Sequence, residues 1–313
     1  MFVHEAAVFA SDEEFLALVV PLLRAGLEAQ EPTYLVVEQT RELLVRAELG
    51  DPAELTCLSP LESYADPLRT LRANLQLFES HAKGDASGCM RMVGELPTLA
   101  DEGQWAAWGR YESVVNHFCA ALPVHALCAY DRRTTPAHVL ADVERTHPSL
   151  MTVDASGSSD RYVEPSSYLD ERSRLEIDEL EATPPHLMRR NPSLVEAREA
   201  IGSLARTSAI DDESAFGLVL AVNEALANAT AHGRPPAELR AWRAPDRIVV
   251  TVWDRGSGPS SPYVGLDRGS GEGRLGLWLS NQLCGRVTLT SDAGGFTVHL
   301  VAGAVPPVRR ASA

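Results

Sequence analysis

Glu224 and Asn228 stand four residues apart in the stretch DDESAFGLVLAVNEALANATAHG (211–233), a carboxylate and a carboxamide with the spacing of one helical turn. Glu224 can orient or deprotonate an attacking hydroxyl or water. Asn228 offers a hard carbonyl oxygen of the kind Mg²⁺ takes beside water and phosphate. Further along, DRGSG (254–258) puts Asp254 next to Gly256 and Gly258. A carboxylate there can accept the exocyclic amine of an adenine while the glycines let backbone approach the ring. In GEGRLGL (271–277), Gly271, Gly273 and Gly276 precede a helix, whose free N–H groups and positive dipole end favour phosphate. Arg274 supplies a cation. Each motif alone is often a plain turn or a solvated face; the three in this order are hard to explain except as one nucleotide pocket.

The elements that must position these residues are legible around them. Asp211 or Asp212 can cap the first helix, and Gly233 with Pro235 and Pro236 ends it. Leu218, Val219, Val222, Leu226 and Ala229 form its apolar stripe. Pro192 to Arg206 reads as an amphipathic helix before it. Strands are expected at Leu239 to Arg243, Ile248 to Trp253, Arg286 to Thr290 and Phe296 to Val301. The C-terminal part is therefore an α+β sandwich. Asn223 lies about 100° from Glu224 on the helix wheel, and it, His232, Trp253 and Trp278 are expected to serve the fold: His232 as a helix C-terminal residue, the tryptophans as core.

The N-terminal half alternates short apolar strands with amphipathic helices, beginning with Val3 to Ala10 and the capping pattern Ser11 to Glu14. Later helices are expected at Thr40 to Leu49, Tyr64 to Ser80, Trp105 to Ala120 and Pro136 to Arg145. Such alternation implies a parallel sheet covered on both faces. Its first strand-to-helix turn reads FASDEEF, without glycine or lysine. Nucleotide hydrolysis by this half is not expected. From Asp154 to Arg190 the composition turns to Ser, Gly, Pro and charge, the pattern of a connector holding one short helix.

Composition narrows the classes further. The 313 residues carry a net charge of −15 with Lys83 as the one lysine, which argues against a nucleic-acid surface. Five cysteines form no CxxC pair and read as reduced thiols. The longest strongly apolar run, Phe15 to Leu23, is too short to span a membrane. A cytoplasmic protein is expected.

In the N-terminal half, the order of His4, RMVGE (91–95), RYE (110–112), CAYDRR (128–133) and THP (146–148) resembles the MEDS, or DcmR-type, sensory domain. That resemblance implies a RecA-like fold without a phosphate loop and a small-molecule ligand. His4, Cys128, Asp131 and His147 are candidates to line a ligand or metal pocket, although no pair has metal-ligand spacing. In the C-terminal half, NEALANATAHG, DRGSG and GEGRLGL resemble the N box and glycine boxes of the GHKL (Bergerat) ATPase fold, and within it the anti-sigma factor serine/threonine kinases. The resemblance implies Glu224 as catalytic base, Asn228 as Mg²⁺ ligand, Asp254 as adenine contact and Gly256, Gly258, Gly273 and Gly276 as nucleotide-loop glycines, with ATP or ADP and Mg²⁺ as cofactors. The loop from Gly258 to Gly271 departs from that pattern: it is short and Ser/Pro-rich, with Arg268 and Arg274 as its nearby cations.

The expected organisation is a sensory domain over 1–165, a connector over 166–190, an ATPase domain over 191–304 and a tail over 305–313. The expected function is a regulator that binds a sigma factor and phosphorylates a serine or threonine on an anti-anti-sigma antagonist, as a homodimer touching neither nucleic acid nor membrane. Two alternatives stand beside it. One is a sensor histidine kinase, for which His186 beside two prolines is a poor phosphoacceptor. The other is a non-catalytic ATP-bound scaffold.

Overall fold

Near-continuous apolar runs such as Ala6 to Phe9 and Leu35 to Val37, buried throughout except at Val8, belong to parallel strands covered on both faces. In the computed structural model, which describes residues 1–84, 88–96, 102–266 and 274–305, they build the first of two units, Met1–Tyr168 and Leu169–Ala313.

In the first unit β1 (Val3–Phe9), α1 (Asp12–Glu28), β2 (Thr33–Val36), α2 (Gln39–Leu49), β3 (Leu55–Leu58), α3 (Pro60–Ser63), α4 (Pro67–Lys83), β4 (Met90–Glu95), α5 (Glu102–Phe118), β5 (Val124–Asp131), α6 (Ala137–Thr146), β6 (Ser149–Met151) and β7 (Ser156–Ser158) follow in order. The sheet runs β3-β2-β4-β5-β1-β6-β7, parallel except for the last pairing. This is the parallel α/β sheet expected of the N-terminal half. The capping expected of Ser11 is present: its side chain accepts from the Glu14 N–H. The helix expected from Tyr64 to Ser80 is α4, and it starts three residues later than expected because Asp66 caps it and Pro67 occupies its first turn.

The second unit begins inside α7 (Pro165–Leu175) and continues through a 3₁₀ turn (Glu179–Ala182), β8 (Leu187–Arg190), α8 (Leu194–Ala205), α9 (Asp212–Ala231), β9 (Glu238–Arg243), β10 (Arg247–Asp254), α10 (Arg274–Leu283), β11 (Arg286–Asp292) and β12 (Gly295–Gly303). Its five strands are antiparallel in the order β11-β12-β10-β9-β8. Helices α8 and α9 pack through Ala197, Ile201, Leu218, Val222 and Leu226 onto Ile248, Val250, Val298 and Leu300 of the sheet. An α+β sandwich results, as expected.

Two expectations change. Residues 166–190, read as a connector, supply a fifth strand and a plug for the far face of the sheet. Asp178, 3% exposed, accepts from Arg247 Nε at 3.0 Å, and Trp242 Nε1 donates to the Thr183 carbonyl at 2.8 Å. Trp253, expected in the core, is half-buried, and Trp242 takes the core position instead. The Trp278 side chain and residues 306–313 lie outside the described residues.

Candidate nucleotide site

The site is built where α9, β10 and the turns after them meet. Asp254, the last residue of β10, is 5% exposed. Its Oδ1 accepts the backbone N–H of Arg234 at 3.0 Å and that of Gly256 at 2.5 Å. A third bond, from the Arg255 N–H to the Arg234 carbonyl at 2.9 Å, ties the turn after α9 to the turn after β10. The packing here needs glycine. A Cβ on Gly233 would lie 2.5 Å from the Asp254 carboxyl carbon, and one on Gly256 would lie 2.6 Å from Oδ1. With Oδ1 saturated by backbone donors, Oδ2 makes no hydrogen bond among the described residues.

A cavity of about 280 Å³ opens over this carboxylate. Val252, Val264, Leu277, Phe296 and Val298 give it apolar walls, and Asn228, His232, Asp254, Ser260 and Ser261 give it polar points. A flat heterocycle with one exocyclic donor fits such a lining, because apolar walls take the ring faces while a buried acceptor fixes its orientation. Gly258, at φ +71°, also lines the cavity and lies beneath the Phe296 ring.

Asn228 comes to the cavity from α9, with its Nδ2 buried and without a partner among the described residues. An amide left unpaired in a buried wall is costly unless something else engages it, which suits a side chain that presents its polar end to a ligand. Glu224, one turn earlier, does not line the cavity. It lies between α9 and α10, so close to Gly276 that a Cβ there would strike its carboxylate. The structure thus brings Asn228, Asp254, Gly256 and Gly258 to one place and sets Glu224 with Gly276 one turn along. Gly271 and Gly273, like Arg268, lie outside the described residues, as does the side chain of Arg274.

Three further residues take part that no local sequence pattern marks. His232, read as a helix-end residue, is the C-cap of α9 and also lines the cavity. Gly233 was read only as a helix stop, yet it makes the Asp254 turn possible. Phe296 was read only as the start of a strand, because which face of β12 meets the cavity is set by its register with β10, where Phe296 pairs with Asp254.

In the N-terminal unit Asp131 parts from the residues it was grouped with. At the end of β5 it accepts from Arg41 Nη2 at 2.5 Å and Arg133 Nη2 at 2.7 Å. These guanidinium contacts, chiefly those of Arg133, pull its carboxyl down to about 2. Arg41 also pairs with Glu95, and all four residues line a second cavity of about 310 Å³ with Asp12. It sits beyond the carboxyl ends of the parallel strands, where ligands of open α/β sheets bind. His4, Cys128 and His147 come together elsewhere.

Comparisons with known proteins agree with this division. Residues 3–148 match the MEDS domain (MEthanogen/methylotroph, DcmR Sensory domain), and residues 189–302 match the histidine kinase-like ATPase domain. The chain therefore joins an N-terminal MEDS domain to a C-terminal ATPase and kinase-type domain. Among solved structures, the RsbU and RsbW domains of Rv1364c from Mycobacterium tuberculosis are 21% identical, with a TM-score of 0.29, over 42% of this chain and 35% of that one. The histidine kinase domain of the Erythrobacter litoralis EL346 blue-light activated histidine kinase is 21% identical, with a TM-score of 0.26, over 44% and 81%. That of the E. coli osmosensor EnvZ is 20% identical, with a TM-score of 0.24, over 42% and 95%. The chain spans about a third of the length of the first of these, 35%. No curated protein matches the chain. No described helix is long and apolar enough to cross a membrane.

Proposed function

We infer, from a MEDS domain joined to a histidine kinase-like ATPase domain, that this chain is a regulator whose C-terminal unit binds ATP with Mg²⁺ and transfers phosphate to a serine or threonine of a partner protein. The observation that carries the reading is the half-engaged carboxylate of Asp254 at the foot of an apolar cavity. Its Oδ1 is fixed by two backbone N–H groups, so Oδ2 is held in place to accept the amine of adenine.

Asn228 is the residue that would hold Mg²⁺, through its side-chain carbonyl oxygen. The ion would neutralise phosphate charge when bound. Glu224 sits one helical turn from Asn228 and would orient the acceptor hydroxyl and take its proton. Gly256 and Gly258 permit close approach of backbone to the base. Gly271, Gly273, Arg274 and Gly276 would cradle the phosphates at the start of α10.

A serine or threonine acceptor on another protein is favoured over a histidine in this chain by the place of His186. It stands in a bend, its own N–H donating to the Ala241 carbonyl at 2.9 Å and its Nδ1 accepting from the Arg243 N–H at 3.3 Å. A ring pinned to a sheet edge is poorly placed to reach a phosphate. By resemblance the partners are a sigma factor and its antagonist, the assembly is a homodimer, and the MEDS domain supplies ligand control.

The test is Glu224→Gln. ATP affinity should stay within about threefold of wild type while phosphotransfer to an antagonist-type protein falls about 10² to 10⁴-fold. Equal turnover in both proteins would remove Glu224 from the mechanism. Intact ATP and partner binding with no transfer by wild type would leave a nucleotide-bound scaffold.

A further inference from the structure

Four side chains of the N-terminal unit that the nucleotide chemistry does not use converge on one point. His4 comes from β1, Glu112 from α5, Cys128 from β5, and His147 is the C-cap of α6. Their ligand atoms all lie within 4.8 Å of one another. His4, Glu112 and His147 are 4%, 1% and 0% exposed, whereas Cys128 is half-buried.

The protons around this cluster can be assigned from hydrogen bonding. The Asn116 amide nitrogen faces three carbonyls, including that of Thr146 at 2.8 Å, so its Oδ1 is the acceptor that faces His4 Nδ1 at 2.9 Å. His4 Nδ1 therefore carries a hydrogen, and in the neutral ring Nε2 carries a lone pair. His147 Nδ1 lies 3.0 Å from the Val143 carbonyl, which can only accept. Its Nε2 also carries a lone pair, and that atom is buried without a hydrogen-bond partner among the described residues. Burial holds His147 well below the usual imidazole range and so neutral.

Both lone pairs point at the same carboxylate oxygen. Glu112 Oε2 lies 3.3 Å from His4 Nε2 and 3.5 Å from His147 Nε2, while Tyr130 donates to the other oxygen at 3.1 Å. One thiol proton, on Cys128, is available to all three acceptors. Acceptors facing each other in a buried site repel unless a cation sits between them.

We propose that His4, Glu112, Cys128 and His147 are the four ligands of a Zn²⁺ site. Four of the six separations come close to the edges of a tetrahedron, and the other two lie within 4.8 Å. Zn–N and Zn–O bonds of about 2.0–2.1 Å put the ligand atoms about 3.3–3.4 Å apart, and a Zn–S bond of about 2.3 Å stretches edges to sulfur to about 3.5–3.6 Å. Cys128 Sγ lies 3.4 Å from His4 Nε2 and 3.8 Å from Glu112 Oε2. The charges also balance, since one carboxylate and one thiolate neutralise a divalent ion inside the protein. The thiol, which burial and then the Glu112 charge push well above its usual range, loses its proton to solvent as the Zn–S bond forms. Two imidazoles and a thiolate select Zn²⁺ over Mg²⁺ or Ca²⁺. Asn116, the Val143 carbonyl and Tyr130 are the outer partners that fix ring orientation and the carboxylate.

The experiment is metal analysis and Co²⁺ spectroscopy of the full chain. Protein purified without chelator should hold about one Zn²⁺ per chain by mass spectrometry of the elements. After chelator stripping, Co²⁺ should give the intense visible bands of a tetrahedral ion and a near-ultraviolet thiolate-to-cobalt charge-transfer band. Cys128→Ser should abolish the charge-transfer band, and His147→Gln should lower Co²⁺ affinity about 10 to 100-fold or more, with near-ultraviolet circular dichroism reporting the fold of each variant. Failure of wild type to take up stoichiometric Zn²⁺ or Co²⁺ would overturn the proposal without reference to any variant. So would a charge-transfer band that persists in folded Cys128→Ser, because the metal would then sit on another cysteine.

Discussion

Around Glu112, side chains from four separate elements turn inward on one another in a nearly closed space; around Asp254, one carboxylate oxygen is tied to backbone and the residue lines an open cavity. The first centre is complete as soon as a small cation enters. The second is complete only when a large planar ligand does, and its walls are backbone and apolar surface rather than converging side chains. A closed ligand set suits a resident ion, and an open one suits a ligand that comes and goes.

The sharpest way to break the comparison is to neutralise the open centre while keeping its geometry. In Asp254→Asn the amide oxygen can still accept from Arg234 and Gly256, but its nitrogen faces the adenine amine, donor against donor. ATP affinity should fall about a hundredfold or more by calorimetry, with thermal stability little changed. Gly256→Ala attacks the same turn by sterics, since its Cβ would lie 2.6 Å from Asp254 Oδ1. It should cost about 1–3 kcal/mol in chemical denaturation and weaken ATP about tenfold.

A third perturbation separates the N-terminal charge cluster from both centres. Asp131, held at about 2 by Arg133 and Arg41, has a folded pKa below its unfolded value near 3.8. Its contribution is therefore fully present above about pH 4 and is lost as the pH falls toward 2. Asp131→Asn should lose about 2 kcal/mol at pH 7 and show a smaller further loss than wild type between pH 4 and 2, read by denaturation at each pH. The smallest effect is expected at Trp242→Phe, which removes the bond to Thr183. A loss of about 1 kcal/mol, with faster hydrogen exchange at 178–190, would mark that plug as the part released.

The same contrast explains what could be read from the sequence. The open centre is made from short local groups: Asn228 on one helix, with Glu224 a turn before it, and Asp254, Gly256 and Gly258 on one loop. Helical periodicity and turn chemistry suffice to place them. The closed centre draws on positions 4, 112, 128 and 147, which only the pairing of β1 with β5 and the packing of two helices bring together. Its histidines and Cys128 were candidates, but Asp131 was grouped with them in place of Glu112. Asp131 is three residues from Cys128, so on a strand it faces the other side of the sheet, where Arg41 and Arg133 take it. Glu112 stood in the RYE motif with nothing local to give it a partner. The fifth strand was hidden for another reason: LMRR is an exposed edge, half-buried at Leu187 alone, and has no alternation to detect.

The most direct measurement of the central claim is the affinity of the wild-type chain for ATP against ITP, which replaces the exocyclic amine with a carbonyl. If Asp254 Oδ2 receives that amine, ATP should bind at least about thirtyfold more tightly, and Asp254→Asn should abolish the preference. Equal affinity of wild type for the two nucleotides would contradict the account.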